Sequence, residues 1–291
     1  MTAVVIGTGA MGPEIAVALA AAGHRVTLAG RSGARAREAA ARAAALGGDA
    51  AAIGAAGIEA GAFAGAGLVV ETIAEDLGAK RDLLRRVEPW LAGDAVVASN
   101  TSSLRIADLA EAMARPQRLA GLHFLKPAHL TRVVEVVAGP ATDDATMAAL
   151  RDVAARMGKA PLVSADVPGF IWNRIQFAVL RECLHMLEAG VADAAAIDAA
   201  MSDGLAPRWM AAGPLATADL GGLRTFATVS RGLFPHLADT HDVPAVLEDA
   251  AASGTPLAPW TAGAGDEVAR LRADALAAGR EIAERRRALG A

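Results

Sequence analysis

The 291-residue sequence lacks the features of secreted, membrane-spanning and nucleic-acid-binding proteins. It has one cysteine, Cys183, so no intramolecular disulfide can form. No apolar stretch approaches the roughly 18 residues of a membrane-spanning helix, because Gly, Pro or charged residues interrupt each run. The N-terminus has no basic segment before its apolar part, so no secretory signal is expected. The net charge of −4 argues against nucleic acid as the main partner. We therefore expect a cytoplasmic protein with no membrane or nucleic-acid partner.

Strand and helix patterns alternate along the first half of the chain. Residues 3–29 predict a strand, a glycine turn, a helix and a second strand, the unit of a parallel sheet with right-handed crossovers. Residues 35–46 predict a helix, and the Gly/Ala-rich remainder of 33–66 has no clear pattern. The fold class is therefore α/β, with a doubly wound Rossmann-type parallel sheet. Further strands are predicted near 68–73, 95–99, 118–123, 133–137 and 161–164, with helices over 77–91, 104–114 and 142–157.

The pattern changes at Asp166, which precedes a Val-Pro-Gly-Phe sequence. Beyond it every segment predicts helix or loop, including a long helix over 171–189 and a charged one from about 266 to 289. We place the domain boundary here: a dinucleotide-binding domain over 1–166 and a smaller all-helical domain over 167–291. The apolar face of the 171–189 helix predicts a homodimer, although the same face can pack within one subunit.

The first strand is followed by a dinucleotide-binding fingerprint of three glycines. In such a loop the first glycine allows the tight turn, the second lets the backbone approach a pyrophosphate, and the third lets helix and strand pack closely. The N-terminus of the following helix adds partial positive charge. Because the glycine loop lies between the first strand and the helix of a βαβ unit, the motif is a specific signal of dinucleotide binding. The loop consists of Gly7, Thr8, Gly9, Ala10, Met11 and Gly12.

The second strand lacks the acidic residue that usually binds the adenosine ribose hydroxyls. Gly30, Arg31 and Ser32 occupy this place. A glycine leaves room for a 2′-phosphate, and a guanidinium can bind one. The sequence therefore favours NADP over NAD, the alternative being an exposed Arg31 beside an NAD pocket.

His123 and Glu135 are the strongest candidates for catalysis. Glu135 lies within a valine run that predicts a strand, where a carboxylate is costly unless another group pairs with it. His123 ends the neighbouring predicted strand and is a plausible partner. Together they can act as a general base and its orienting acid, which suits hydride transfer coupled to proton removal.

With these motifs in place, nearly the whole chain resembles the 3-hydroxyacyl-CoA dehydrogenase family. The resemblance implies that His123 is the catalytic base, Glu135 its orienting carboxylate and Asn173 a substrate contact. It also implies that Ser102 contacts both substrate and cofactor. The matching segments are the glycine loop, 69–75 with Lys80, 98–104, 121–124, 134–136, 168–171 with Asn173 and Arg174, and 213–215.

The same resemblance implies that Glu75 and Lys80 contact the cofactor near its nicotinamide half. From the residues alone, Glu75 and Lys80 can instead be a solvated pair at a helix start. Likewise, Ser102 can serve only to cap a helix, and Asn173 can be an ordinary first-turn helix residue.

The resemblance implies an NAD(P)-dependent dehydrogenase that transfers hydride between nicotinamide and the 3-hydroxy or 3-oxo group of a 3-hydroxyacyl thioester. Two departures leave other small-molecule substrates open. Lys126 replaces the family's usual asparagine, and the segment from Arg31 to Leu68 is too short for the family's long CoA-binding hairpin. A free 3-hydroxycarboxylate, as in the related carnitine and gulonate dehydrogenases, is the alternative. A nucleotide-binding protein with little activity is a third reading, and the intact candidate residues argue against it.

Overall fold

A computed structural model describes residues 1–288. It divides into two compact units, Met1–Arg174 and the residues from Ile175 onward. Among the described residues, no helix is long and apolar enough to cross a membrane. The predicted C-terminal helix is present as Gly265–Ala288, and the predicted end at Leu289 lies outside the described residues.

The first unit contains one eight-stranded sheet with the strand order β3-β2-β1-β4-β5-β6-β7-β8. Its neighbouring strands pair in parallel, except β6 and β7, which are antiparallel. The connection between those two strands is too short for the crossover that a parallel pair needs. The strands are β1 Thr2–Ile6, β2 Arg25–Gly30, β3 Ile53–Gly57, β4 Ala66–Glu71, β5 Val96–Ser99, β6 Leu119–Phe124, β7 Val133–Ala138 and β8 Ala160–Ala165.

Helices cover both faces of this sheet, which confirms the doubly wound α/β fold. Successive residues of β1 point to opposite faces, so Ala3 and Val5 belong to one buried cluster and Val4 and Ile6 to another. The first cluster includes side chains of α1, α2 and α5, and the second includes those of α3 and α4. The helices of this unit are α1 Met11–Ala21, α2 Gly33–Ala45, α3 Leu77–Val87, α4 Ile106–Ala110 and α5 Asp144–Arg156.

Two elements of this unit differ from the sequence prediction. β3 was not predicted, because its sequence, Ile-Gly-Ala-Ala-Gly, has one β-branched residue and forms a strand through pairing with β2. The helix predicted over 104–114 is shorter: it spans Ile106–Ala110, and its N-cap Arg105 makes no side-chain capping hydrogen bond. Asp166 instead accepts hydrogen bonds from the backbone N–H groups of Ile106 and Ala107, at 2.8 Å each.

The second unit is helical and has few buried side chains of its own. Among its described side chains, only Leu184 and Ile197 are buried apolar residues. Large apolar side chains are exposed instead, including Phe177, Leu223 and Val229. The helices are α6 Trp172–Glu188, which begins in the first unit, α7 Ala194–Ala199, α8 Ala206–Ala211, α9 Pro214–Gly221, α10 Leu223–Leu233, α11 Ala245–Ser253 and α12 Gly265–Ala288.

Candidate active site

The glycine loop joins the end of β1 to α1 with the close backbone packing that the fingerprint requires. Gly7 has φ +142°, and a Cβ there would lie 2.5 Å from the Thr72 carbonyl oxygen. A Cβ at Gly12 would lie 2.0 Å from the Gly7 carbonyl oxygen. A Cβ at Gly9 would meet nothing within 4 Å, so this face is open for a phosphate group.

A cavity of about 650 Å³ begins at this loop and continues along the ends of β2 and β4. These dimensions and the open face at Gly9 fit a dinucleotide. Arg31, Arg35 and Arg86 line the end beyond β2. Asp82 is the one acidic residue in the lining, and it pairs with Arg85 at 2.9 Å. This end of the cavity is therefore rich in cationic side chains.

The antiparallel register of β6 and β7 places His123 directly opposite Glu135. The Nδ1 atom of His123 lies 2.6 Å from Oε2 of Glu135, and both side chains are buried. Because an ionised carboxylate only accepts hydrogen bonds, Nδ1 carries the proton and Nε2 presents a lone pair. Nε2 lies 3.2 Å from Oγ of the exposed Ser102. The imidazole is thus oriented to accept a proton at Nε2.

The second carboxylate oxygen of Glu135 binds the start of α6. Oε1 accepts hydrogen bonds from the N–H groups of Ile171 at 2.8 Å and Trp172 at 2.9 Å. Burial alone raises the pKa of Glu135, but the hydrogen bonds from His123, Trp172 and Ile171 outweigh it and hold the pKa below its usual value. Glu135 therefore stays ionised at neutral pH and stabilises a positive charge on the imidazole.

The turn before α6 presents these two N–H groups. Gly169 and Phe170 have φ values of +78° and +49°, and a positive φ is unusual for a phenylalanine. The Phe170 side chain is buried, and its ring centroid lies 5.8 Å from that of His123. The turn therefore positions both members of the His123–Glu135 pair.

The remaining predicted residues meet around the loop after β5. Asn173 donates a hydrogen bond from Nδ2 to the Ser102 carbonyl oxygen at 3.0 Å. Glu75 accepts hydrogen bonds from this loop, and Lys80 lies 3.4 Å from Glu75. Lys80 is buried rather than solvated. The structure thus brings His123, Glu135, Ser102, Asn173 and Glu75 together, with Lys80 behind them. Arg31 is not part of this group and lines the cavity at the glycine loop.

Sequence reasoning did not identify the buried partners of the loop over 126–131. The Ala128 N–H donates to Oε2 of Glu14, a residue of α1. The Lys159 ammonium donates to the carbonyl oxygens of Thr131 and, at 2.6 Å, of Ala128. Both side chains are buried. A glutamate within the apolar face of α1 is a signal that could have revealed the first contact.

The environment of Lys159 predicts a pH dependence of stability. Burial lowers the pKa of its ammonium to about 8, whereas an unfolded lysine titrates near 10.4. Between these values the unfolded state binds more protons, so the free energy of unfolding rises with pH. From pH 7.5 to 9.5 we expect a rise of about 1–2 kcal/mol in the wild type relative to Lys159→Met. Urea titrations at both pH values measure the free energy of unfolding of each protein. An equal change with pH in the wild type and in Lys159→Met would contradict the prediction.

Family models match most of the chain. The model for the 3-hydroxyacyl-CoA dehydrogenase NAD binding domain matches residues 2–167. The model for the 3-hydroxyacyl-CoA dehydrogenase C-terminal domain matches residues 169–256.

Curated relatives of two kinds are similar to the chain. The 5-formyl-3-hydroxy-2-methylpyridine 4-carboxylate 5-dehydrogenase of Mesorhizobium japonicum is 37% identical over 66% of this chain and 63% of its own length. The 3-hydroxybutyryl-CoA dehydrogenase of Bradyrhizobium diazoefficiens is 42% identical over 62% of this chain and 60% of its own length. The matched part is therefore less than two thirds of either relative.

Solved structures extend the similarity to both units. A crystal structure of 5-formyl-3-hydroxy-2-methylpyridine 4-carboxylic acid 5-dehydrogenase, described as an NAD⁺-dependent dismutase, has a TM-score of 0.89 and 30% identity over 97% of this chain and 98% of that one. The (S)-3-hydroxybutyryl-CoA dehydrogenase of Ralstonia eutropha has a TM-score of 0.70 and 30% identity over 87% of this chain and 94% of that one.

Proposed function

The chain belongs to the 3-hydroxyacyl-CoA dehydrogenase family, and from this premise we propose that it is a nicotinamide-dependent oxidoreductase acting on CH–OH groups. The observation that carries the proposal is the arrangement at His123, whose Nδ1 lies 2.6 Å from Glu135 and whose Nε2 lies 3.2 Å from Ser102. A substrate hydroxyl near Ser102 can give its proton to Nε2. When bound, the nicotinamide ring supplies the hydride acceptor, or the donor in the reverse direction.

Each residue then has a distinct proposed role. His123 takes the hydroxyl proton during oxidation and returns it during reduction. Glu135 keeps the imidazole in one tautomer and stabilises its cation, as the acid of a catalytic triad does. Ser102 donates a hydrogen bond to the substrate oxygen, and Asn173 contacts the substrate beside it. The loop from Gly7 to Gly12 binds the pyrophosphate.

The first candidate substrate is a 3-hydroxyacyl thioester. The similarity to 3-hydroxybutyryl-CoA dehydrogenases supports it. The second candidate is a free carboxylate that carries the reacting group, such as a 3-hydroxycarboxylate or a pyridine carboxylate. The full-length similarity to the pyridine carboxylate dehydrogenase supports this candidate. So does the segment between β2 and β3, which contains the single helix α2 and no helical hairpin.

A substrate panel tests the activity and separates the two candidates. Purified protein is assayed with 3-hydroxybutyryl-CoA, the matching pantetheine thioester, free 3-hydroxybutyrate and pyridine carboxylates bearing a hydroxymethyl or formyl group. A micromolar KM for the CoA ester, together with a much higher KM for the pantetheine ester, would show that the protein recognises the nucleotide part of CoA. This result would establish the first candidate. Turnover of a free acid alone would establish the second, and no turnover with any member would contradict the activity.

The cofactor is NAD or NADP, and we propose a preference for NADP because of the arginines beyond β2. Arg31 and Arg35 line the cavity, and the usual acidic residue is absent there. A charge-assisted hydrogen bond contributes about 1.5–3 kcal/mol net, or roughly tenfold to a hundredfold in affinity, and exposure reduces this gain.

We expect the Arg31→Ala/Arg35→Ala variant to lose about tenfold or more in kcat/KM for NADP while keeping its value for NAD. Arg37→Ala is the matched control, since Arg37 lies on α2 together with Arg35 but is not among the residues that line the cavity. Restoring the acidic residue by Gly30→Asp is a poor test of cofactor preference. The new Cβ would lie 2.7 Å from Cγ2 of Thr8, so the glycine loop would have to shift. A wild type that already prefers NAD tenfold would refute the proposal.

We further propose a homodimer that involves the helical domain over 167–291. Few apolar side chains of the second unit are buried within one chain, whereas Phe177, Leu223 and Val229 are exposed. A helical unit this poor in buried side chains gains stability by association. Light scattering coupled to gel filtration should give twice the chain mass, and a monomer at micromolar concentration would contradict the proposal.

A cytoplasmic location is also proposed, supported by the single cysteine.

A further inference from the structure

Asp166 joins the chain that leaves β8 to the start of α4. Its Oδ1 accepts a hydrogen bond from the Ile106 N–H and its Oδ2 accepts one from the Ala107 N–H, at 2.8 Å each. The Asp166 side chain is 5% exposed, and the Arg105 Nε atom lies 4.0 Å from Oδ2. A buried carboxylate is costly unless its oxygens are paired. The two N–H groups of α4 therefore fix the place of Asp166 in the fold.

The helix α4 is a firm anchor for this carboxylate. Its residues Ile106 and Leu109 are fully buried in the cluster on one face of the sheet. The loop that carries Ser102 ends where α4 begins, and the Ser102 hydroxyl lies 3.2 Å from Nε2 of His123. Asp166 is thus bound to the same helix that follows the serine loop.

On its other side, Asp166 begins the turn that leads into α6. The Val167 N–H donates to the Ala165 carbonyl oxygen at 2.9 Å, and the Phe170 N–H donates to the Val167 carbonyl oxygen at 3.1 Å. The Phe170 side chain is buried in the same cluster as Ile106. The turn is therefore fastened to the α4 side of the sheet at two points, one polar and one apolar.

The far end of this turn binds Glu135. The N–H groups of Ile171 and Trp172 donate to its Oε1 at 2.8 Å and 2.9 Å. Its Oε2 lies 2.6 Å from Nδ1 of His123. A displacement of the turn therefore moves the carboxylate, and the carboxylate in turn reorients the imidazole.

We propose that Asp166 is a positioning residue for proton transfer, which acts on Glu135 through the turn over 167–172 and uses α4 as its anchor. Because α4 also follows the loop of Ser102, the carboxylate of Glu135 and the serine hydroxyl are held in one frame on either side of His123. The inference rests on the proposed function for its catalytic consequence and goes beyond it, since that function assigns no part to Asp166.

Substitutions at Asp166 test this role through kcat. We expect Asp166→Ala to lower kcat by about tenfold, since small misplacements of a reacting group have effects of this size. Asp166→Asn should fall between this variant and the wild type, because its amide oxygen accepts one of the two N–H groups and its NH₂ group accepts none. Glu135→Ala/Asp166→Ala should be no slower than Glu135→Ala alone, because residues that act through one group are not additive.

Asp143→Ala is the matched control. The Asp143 side chain accepts a hydrogen bond from the Thr146 N–H at 2.7 Å and caps α5 in the same unit. Its removal costs a helix cap, as the removal of Asp166 does, and should leave kcat within about twofold of the wild type.

Two further measurements do not depend on turnover. The first is the proton resonance of the His123 Nδ1–H, assigned by its absence in His123→Ala, which a short hydrogen bond to a carboxylate moves strongly downfield. We expect Asp166→Ala to move it upfield and Asp143→Ala to leave it in place. The second is amide hydrogen exchange at Ile171 and Trp172, which Asp166→Ala should accelerate by about tenfold or more.

A purely structural cap gives a different result. If Asp166→Ala is less stable but keeps the wild-type kcat, resonance and exchange, the proposal is overturned, and additive effects in the double variant would overturn it too. Should Asp166→Ala fail to fold, the same measurements on Asp166→Asn decide. If the wild type turns over no substrate, the proposed function fails, and the resonance and exchange measurements alone decide the positioning role.

Discussion

The His123→Ala variant should lose about two or more orders of magnitude in kcat and keep its affinity for the dinucleotide. The loss follows from removing the group that accepts the substrate proton, which is typically worth about 10²–10⁴ in rate. Cofactor affinity should stay unchanged, because the glycine loop that we propose as the pyrophosphate site lies elsewhere in the same unit. Steady-state kinetics gives kcat, and fluorescence titration with reduced cofactor gives the affinity.

His241→Ala is the matched control for this experiment. His241 is exposed in a loop of the helical unit, so its removal should leave kcat within about twofold of the wild type. A His123→Ala variant that retains near wild-type kcat would refute the assignment of His123 as general base. Loss of cofactor binding in parallel with kcat would instead indicate a folding defect, which circular dichroism detects.

Of the substitutions proposed for this protein, Lys80→Met should lower the free energy of unfolding the most. The substitution removes the Lys80 ammonium, which lies 2.7 Å from the fully buried Glu71 carboxylate, and leaves that carboxylate without a cation. Breaking a buried ion pair by removing one partner costs about 3–5 kcal/mol, because the remaining charge is uncompensated. We therefore expect the midpoint of urea unfolding to fall sharply.

Two further variants separate this effect from a general loss of packing. Arg85→Met removes an exposed cation from the same helix, where it pairs with Asp82 at 2.9 Å, and should cost at most about 1 kcal/mol. Lys80→Met/Glu71→Gln removes both charges and should be more stable than Lys80→Met alone. If Lys80→Met lowers the free energy of unfolding by no more than Arg85→Met does, the buried pairing of Lys80 with Glu71 would be contradicted.

The parts of the fold that follow local patterns could be predicted from the sequence. The doubly wound architecture follows from the alternation of strands and helices, and the proximity of His123 and Glu135 follows from a carboxylate placed in an apolar strand. Their antiparallel register was not predicted, although it puts the two residues directly opposite each other. The strand β3 was missed because its stability comes from pairing with β2 rather than from its own residues.

The supporting contacts of the site could not be predicted, because they join residues far apart in sequence. Lys159 holds a loop that lies about thirty residues earlier in the chain, and no local pattern encodes such a contact. Glu71 is different. It ends an apolar strand, so the reasoning that identified Glu135 applies to it equally. The family resemblance implies a cofactor contact for Lys80, which stays a prediction, and it gives no indication of the buried Glu71 that pairs with Lys80.

The attachment of Glu135 to the Ile171 and Trp172 amides has a consequence for protein engineering. The family models meet near residue 168, which makes that point an attractive junction for exchanging C-terminal domains between relatives. A junction there would separate the Glu135 carboxylate from the two N–H groups that donate hydrogen bonds to it. Chimeras should therefore keep residues 169–173 from the same parent as β6 and β7. A graft at residue 174 transfers the helical domain and keeps the hydrogen bonds of Glu135 to His123, Ile171 and Trp172 within one parent.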